Sequence, residues 1–353
     1  MSQNAQARAL AIGATAALLT VGGIYFGSGQ LEHFDPALFW YAIASVLAAF
    51  AVGYRFTLWA SRPPSRMYFK RALQMLLRSG PKYAAAKAPS AEVEIAKSAA
   101  VNFGAQNFIR KRSYFRWIMH LCLSGGCTLA FAVTFPLVFG WIHFGTPLDD
   151  AETYQVIAFG ITVDTFSIHS VKAFLAFNAL NIAAVFVLIG LVMAGYRRLT
   201  DAGERAVQTF YEDILPLILI AAVTVTGIAL TISYKFFDGL YHGSMVWIHL
   251  ITVVALIFYI PFGKLFHMFQ RSCALAVTAY KKKGGAEAQA KCLVTGEDYA
   301  PQRHVDDLKI VLDQLGFNYR YTTEDGQEVH YQDISPKGRR RLIALNQGKA
   351  LKR

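Results

Sequence analysis

Six long apolar runs decide what this chain of 353 residues can fold into. A helix that crosses a bilayer needs about 20 mostly apolar residues. Runs of that kind fall at roughly 9–27, 37–59, 115–141, 171–196, 210–235 and 242–268. Only 16% of the residues are charged, against about 25% in a typical soluble domain. That deficit excludes a disordered chain and argues against an ordinary soluble enzyme. The expected fold is an all-α polytopic membrane protein: a six-helix transmembrane bundle with a small α+β C-terminal piece. The first run follows one charge, Arg8, and has no A-x-A site before Phe26-Gly27-Ser28-Gly29. It reads as a retained span, not a cleaved leader.

The charges test this layout. Of the 35 Lys and Arg, 33 are Arg8, the 13 in segment 55–116, the three in the turn 197–207, or the 16 after residue 263. The opposite loops, 28–36, 142–170 and 236–241, have none. This asymmetry predicts both termini and the basic segments on the cytoplasmic side. Most of the net charge of +12 then reports topology and contact with anionic membrane lipid, not nucleic acid. The run Arg339-Arg340-Arg341 is read the same way.

Four pieces are expected. Residues 1–60 hold two N-terminal spans, and 61–113 form a cytoplasmic amphipathic segment. Residues 114–272 form a four-helix membrane core, and 284–353 form a cytoplasmic C-terminal domain. In the second piece, apolar Phe69, Leu73, Leu76 and Leu77 alternate at helical spacing with Arg66, Lys70, Arg71 and Arg78, the pattern of an interfacial helix. Residues 83–100 read as a second, weaker helix. The outer loop 142–170 is expected to pack as a lid or short helix. Lys281-Lys282-Lys283-Gly284-Gly285 marks the last boundary. Beyond it the pattern predicts a helix at 303–315, a hairpin at 317–332 turning at Glu324-Asp325-Gly326, and a basic helix at 336–346.

The four cysteines, Cys122, Cys127, Cys273 and Cys292, form no CxxC pair. They support neither a disulfide framework nor an iron–sulfur or zinc site within this chain alone. The histidines are more informative. His33, His304 and His330 read as solvated, and His143, His169 and His242 lie toward the outer surface. His120, His249 and His267 fall within apolar runs, where an ionisable group is a functional-site candidate by default. His249 and His267 both fall on the last run, 18 residues apart, which is five full turns and a rise of about 27 Å. They are expected on one stripe at opposite depths, with His120 at the depth of His267. Two imidazoles from two helices can hold a flat iron porphyrin from both faces. Gly125-Gly126, just after His120, would open a groove for it.

At these residues the chain resembles the cytochrome b superfamily that includes the membrane gamma subunit of respiratory nitrate reductase and the membrane subunits of heterodisulfide and sulfite reductase complexes. The likeness covers about residues 110–272. It rests on Arg116-Trp117-Ile118-Met119-His120, on Asp213-Ile214-Leu215-Pro216 with Thr226-Gly227, and on His249 through Pro261-Phe262-Gly263-Lys264-Leu265-Phe266-His267. The resemblance implies one or two b haems, with His120, His249 and His267 as iron ligands and His120 paired with His267. It implies electron transfer between quinone or quinol and an iron–sulfur or flavin subunit on the cytoplasmic side of a bacterial inner membrane. The chain departs from the family at Ala130, where a second early-span histidine is expected. The outer partner of His249 is therefore open among His143, His169 and Cys127, with His143 nearer in depth to His242. Asp213, Lys172 and Lys235 read as interface charges or structural partners. Two other classes stay in view: a small secondary transporter without haem, and an anchor for a soluble partner.

Overall fold

Each apolar run contains one long helix in the computed structural model, which describes residues 3–76, 91–147, 150–284, 288–322 and 326–350. The helices are α1 (Gln3–Gly27), α2 (Phe39–Ala60), α3 (Pro63–Leu76), α4 (Ala91–Ser98), α5 (Asn107–Arg110), α6 (Tyr114–Val138), α7 (Val171–Thr200), α8 (Ala202–Val207), α9 (Leu215–Phe236), α10 (His242–Phe262), α11 (His267–Gly284), α12 (Gln302–Gln314) and α13 (Pro336–Ala350). Among the described residues, six helices are long and apolar enough to cross a membrane: α1, α2, α6, α7, α9 and α10. They mark a multi-pass membrane protein. Large apolar side chains face outward and small ones inward. Val192 of α7 is 72% exposed, whereas Ala183 of the same helix is 1% exposed.

The chain divides into two units. One comprises residues 1–58 and 105–269, and the other residues 59–104 and 270–353.

In the first unit, glycine sets the closest helix approaches. A Cβ at Gly126 of α6 would lie 2.7 Å from Val187 and 2.8 Å from the Ala183 carbonyl of α7. A Cβ at Gly190 of α7 would lie 2.6 Å from Leu123 of α6. The backbones can therefore meet there, as small residues permit in lipid. Gly126 is thus used up by helix packing and opens no groove for a macrocycle. Gly125 has nothing within 4 Å. The helices α9 and α10 form a second close pair, and α7 also packs on α9. Near the C-terminal end of α1, the Trp141 indole donates to the Gly23 carbonyl at 2.7 Å and fills the space a side chain at Gly27 would take.

The segment expected as a lid or short helix, 142–170, forms a sheet. Strands β1 (Ile142–Gly145), β2 (Thr153–Ala158) and β3 (Ile161–Ser167) pair antiparallel in that order. Phe159 (φ 51°) and Gly160 (φ 79°) make the two-residue turn between β2 and β3, the left-handed geometry that suits a tight hairpin. The β-branched residues at 153, 156, 157, 161, 162, 163 and 165 explain the preference.

The last span is shorter than the run that predicted it. Pro261 lacks an N–H, and its carbonyl accepts from the Arg55 guanidinium. Gly263 then takes an extended conformation (φ −93°, ψ −167°) with the Tyr259 ring seated where its Cβ would be. A 3₁₀ turn, Lys264–Phe266, follows, and His267 opens α11.

The second unit contains α3, α4 and most of α11, then β4 (Gln289–Lys291) paired with β5 (Asp298–Pro301), α12, β6 (Arg320–Thr322) paired with β7 (Glu328–His330), and α13. The helix–hairpin–helix pattern of the tail appears as expected. Glu324 and Asp325 of the expected turn, residues 83–90 of the weaker helix, Leu77, Arg78 and Gly285 lie outside the described residues. The helix α11 runs through the Lys281–Lys283 run instead of ending at it. Ile334 and Cys292 are fully buried in this unit, and the Ser335 N–H donates to Cys292 Sγ at 3.2 Å.

Candidate functional site

His249 sits in the second turn of α10, opposite Thr226 and Gly227 of α9. Its Nδ1 lies 2.8 Å from Thr226 Oγ1. The Thr226 hydroxyl donates its own hydrogen to the Ala222 carbonyl at 2.7 Å, the usual helical back-bond. Thr252 donates to the His249 carbonyl at 2.8 Å. By this network Nδ1 carries the ring proton and Thr226 accepts it. Nε2 is then the nitrogen with the lone pair. Gly227 leaves room for the ring, because a Cβ there would already touch His249 Cε1 at 3.4 Å.

The imidazole borders a cavity of about 390 Å³ enclosed by α2, α6, α7, α9 and α10. Its wall is mostly aliphatic and aromatic, with a few polar groups such as Ser45, Asn181 and Thr231. The Thr231 hydroxyl donates to Asn181 Oδ1 at 3.1 Å. This size and polarity suit a bound organic cofactor or ligand. Ala130 and Cys127 of α6 line the same space. The position where a second histidine is expected therefore borders the cavity that holds His249.

His120 is fixed by a different network. Gln106, left-handed at φ 51° and buried, places Oε1 2.6 Å from His120 Nδ1. Gln106 Nε2 donates to Ser124 Oγ at 2.6 Å, and Ser124 donates to the His120 carbonyl at 2.7 Å. With Oε1 as acceptor, Nδ1 again carries the proton. His267 repeats the pattern, its Nδ1 lying 2.8 Å from the Lys264 carbonyl, which can only accept. Lys264 is held by Asp213, Nζ to Oδ1 at 2.5 Å. Asp213 thus acts as a structural partner, as expected. In all three histidines Nδ1 faces an oxygen of a neighbouring group, the kind of contact by which a second group orients a metal-bound ring.

The helix break at Gly263 separates His249 from His267. The single stripe expected from 18-residue spacing does not exist, because five turns of unbroken helix are absent. Neither His120 nor His267 lines the cavity beside His249. Nor does His143. It lies on β1 and stacks on His33, with ring centroids 4.0 Å apart, and its Nδ1 is buried without a partner among the described residues. Burial, and then the neighbouring His33, hold its pKa below the usual value. His242 is the first residue of α10, its ring 6.4 Å from that of Tyr234, and His169 is exposed after β3.

Two histidines read as solvated are not. His330 is buried, and His304 stacks on Tyr280 at 4.3 Å. Sequence reasoning also missed Gln106, Ser124 and the Lys264 carbonyl. A glutamine 14 residues before its histidine carries no periodic signal, and a backbone carbonyl carries none at all. Thr226-Gly227 in mid-span was the visible clue for His249.

Fold and site together define a multi-pass helical membrane protein with an imidazole at the wall of an intrabundle cavity. No protein-family model, curated protein or solved structure matches the chain.

Proposed function

We propose that this chain is a b-type cytochrome subunit that passes electrons between the quinone pool and a cytoplasmic iron–sulfur or flavin partner. The observation that carries the reading is His249, its Nδ1–H held by Thr226 and its Nε2 lone pair available beside a cavity between spans. Bound haem would supply reversible one-electron iron chemistry. The chain's own part is to hold the imidazole in one tautomer, to exclude water with aliphatic walls, and to keep the ring upright between Thr226 and Gly227. His120 with Gln106, and His267 with Lys264, would serve an inner site in the same way.

The charge distribution supports a bacterial inner-membrane orientation with both termini in the cytoplasm. It also supports a docking face for an acidic partner. The second unit carries 23 Lys/Arg against 12 Asp/Glu, which is +11 of the chain's +12.

The test is an absorption spectrum of the full-length protein purified from haem-replete cells and reduced with dithionite. Reduced b-type bands are expected, with part of the haem lost in His249→Ala and another part in His120→Ala or His267→Ala. Colourless wild-type protein would refute the cytochrome and return the transporter and anchor readings to the front.

A further inference from the structure

A second pocket lies away from His249, at one end of the α6–α7 pair. Arg112 and Ser113 precede α6, Phe115 and Arg116 sit in its first turn, and Tyr196 and Arg197 lie near the end of α7. The close packing at Gly126 and Gly190 brings these two ends together around a space of about 450 Å³. The guanidinium groups of Arg112, Arg116 and Arg197 line it, against one carboxylate among the described residues, Asp201. That carboxylate is largely committed. Its Oδ1 accepts from the Gly203 and Glu204 N–H groups at 3.0 and 3.4 Å and caps α8, and its Oδ2 stays 3.8 Å from Arg116. Glu204 pairs with Arg197 Nη2 and stays 3.7 Å from Arg116. Cationic donors are left over. Arg197 Nε is buried with no partner among the described residues. Arg116 has no carboxylate oxygen within hydrogen-bond distance, and Arg112 pairs with none among the described residues. The first-turn N–H groups of α6, and the positive end of its dipole, face the same end of the pair.

The rest of the lining is aromatic. Phe115 and Tyr196 border the pocket with ring centroids 6.4 Å apart, and both are exposed. On the same two helices Ile118, Val192 and Leu199 are also exposed. A soluble phosphate compound would use only the donors. A membrane lipid would use the donors, the aromatic rings at the level of its headgroup, and the apolar helix surface that leads away from them. We infer that this pocket binds the phosphodiester headgroup of an anionic phospholipid, with the phosphate among Arg112, Arg116 and Arg197 and the acyl chains along α6 and α7. A planar guanidinium matches two phosphate oxygens at once. The bound headgroup also offsets the mutual repulsion of three cations that close helix packing brings together. The site is independent of the cytochrome reading, because none of its residues is a candidate iron ligand.

The experiment uses the full-length protein, delipidated in detergent, with phosphatidylglycerol as the probe and native mass spectrometry to count bound lipid. Phosphatidylglycerol should bind in preference to phosphatidylcholine. Arg112→Gln and Arg116→Gln should each weaken it about fivefold, the worth of one basic residue at an anionic lipid surface. Arg8→Gln removes the same charge outside the pocket and should leave binding unchanged. Equal losses in Arg8→Gln and the pocket variants would reduce the effect to net charge and overturn the site. Inorganic phosphate is the second probe. If it displaces the lipid at equal concentration, the pocket is a soluble-phosphate site and the lipid assignment fails. A measurement on the wild-type protein covers variants that do not fold. In phosphatidylcholine nanodiscs, amide exchange over residues 113–117 should slow when phosphatidylglycerol is included. Exchange that is indifferent to phosphatidylglycerol would refute the inference.

Discussion

The two units handle polar groups in opposite ways. The membrane unit carries 12 Lys/Arg and 11 Asp/Glu, nearly balanced. Within its spans the polar pairs are neutral, as in Thr226 with His249 and Gln106 with His120, and its part-buried ion pairs, Arg197–Glu204 and Arg198–Asp213, lie at span ends. The second unit carries almost all the net charge and buries an ion pair. Arg71 meets Asp307 through Nε–Oδ2 at 2.9 Å and Nη2–Oδ1 at 2.5 Å, and Tyr280 donates to the same carboxylate at 2.6 Å. In lipid an apolar exterior costs nothing, so glycine and alanine settle which helices meet. A small domain of few apolar layers gains definition from a carboxylate that joins α3, α11 and α12. The helix α3, read from sequence as an interfacial element, is tied into the second unit by that carboxylate and by the packing of Ala72 and Tyr68 on Ala276 and Tyr280.

Breaking the buried pair should give the largest change. Asp307→Ala removes the carboxylate that faces Arg71 and the Tyr280 hydroxyl. The Arg71 and Asp307 side chains are only 15% and 5% exposed. Removing one partner of such a pair costs about 3–5 kcal/mol. Hydrogen exchange in α12 and in α11 after residue 270 should speed up to match, while α6 and α7 keep their protection. Equal loosening of both units would erase the contrast drawn above, and a cost under ~1 kcal/mol would reduce the pair to a surface contact.

The counterpart in the membrane unit is steric. Gly126→Ala places a methyl group against Val187 and the Ala183 carbonyl, and Gly190→Ala places one against Leu123. Overpacking of this kind costs roughly 1–3 kcal/mol. Gly125→Ala meets open space and gains helix propensity, so it should be neutral or slightly stabilising. Thermal unfolding in detergent checks the set. Equal effects at Gly125 and Gly126 would show that backbone flexibility, not close approach, is what these glycines supply.

Much of this architecture was legible in the sequence. Apolar run length placed all six spans, and the tail's alternation placed α12, the β6–β7 hairpin and α13. The failures share a cause. The segment at 142–167 was read as a lid or short helix, although its β-branched residues were present. The ends of α10 were read by hydropathy, which does not register that Pro261 and Gly263 stop a helix while the surrounding residues remain apolar. The candidate histidines were found from their cost in lipid, but their partners were not. A hydrogen-bond acceptor such as Gln106 or the Lys264 carbonyl is chosen by tertiary geometry, which leaves no period in the chain.

The smallest expected effect concerns acid. His330 accepts from the Gln332 N–H at Nδ1, 3.0 Å, so protonation there removes a bond as well as burying a charge. Burial first, and then Lys309, hold its pKa below the ordinary 6.5, against the opposing pull of Asp333. His304 is lowered chiefly by burial too. A histidine depressed in the folded state binds fewer protons than in the unfolded chain. Its stability contribution is therefore complete above the unfolded value and is lost as pH falls through 6.5 toward the folded value. Each such proton can add a slope of at most about 1.4 kcal/mol per pH unit. Hydrogen exchange in α12 and β7, compared at about pH 7.5 and 5.5 on either side of the ordinary imidazole range, should show protection falling with acid. His330→Gln, which does not titrate, should flatten that fall. The spans α6 and α7 contain one histidine between them, His120, and should change less over the same interval. A fall of equal size in those spans would mean that acid acts on the molecule through its overall charge, and the difference between the two units would then lie in charge number rather than in how each buries its polar groups.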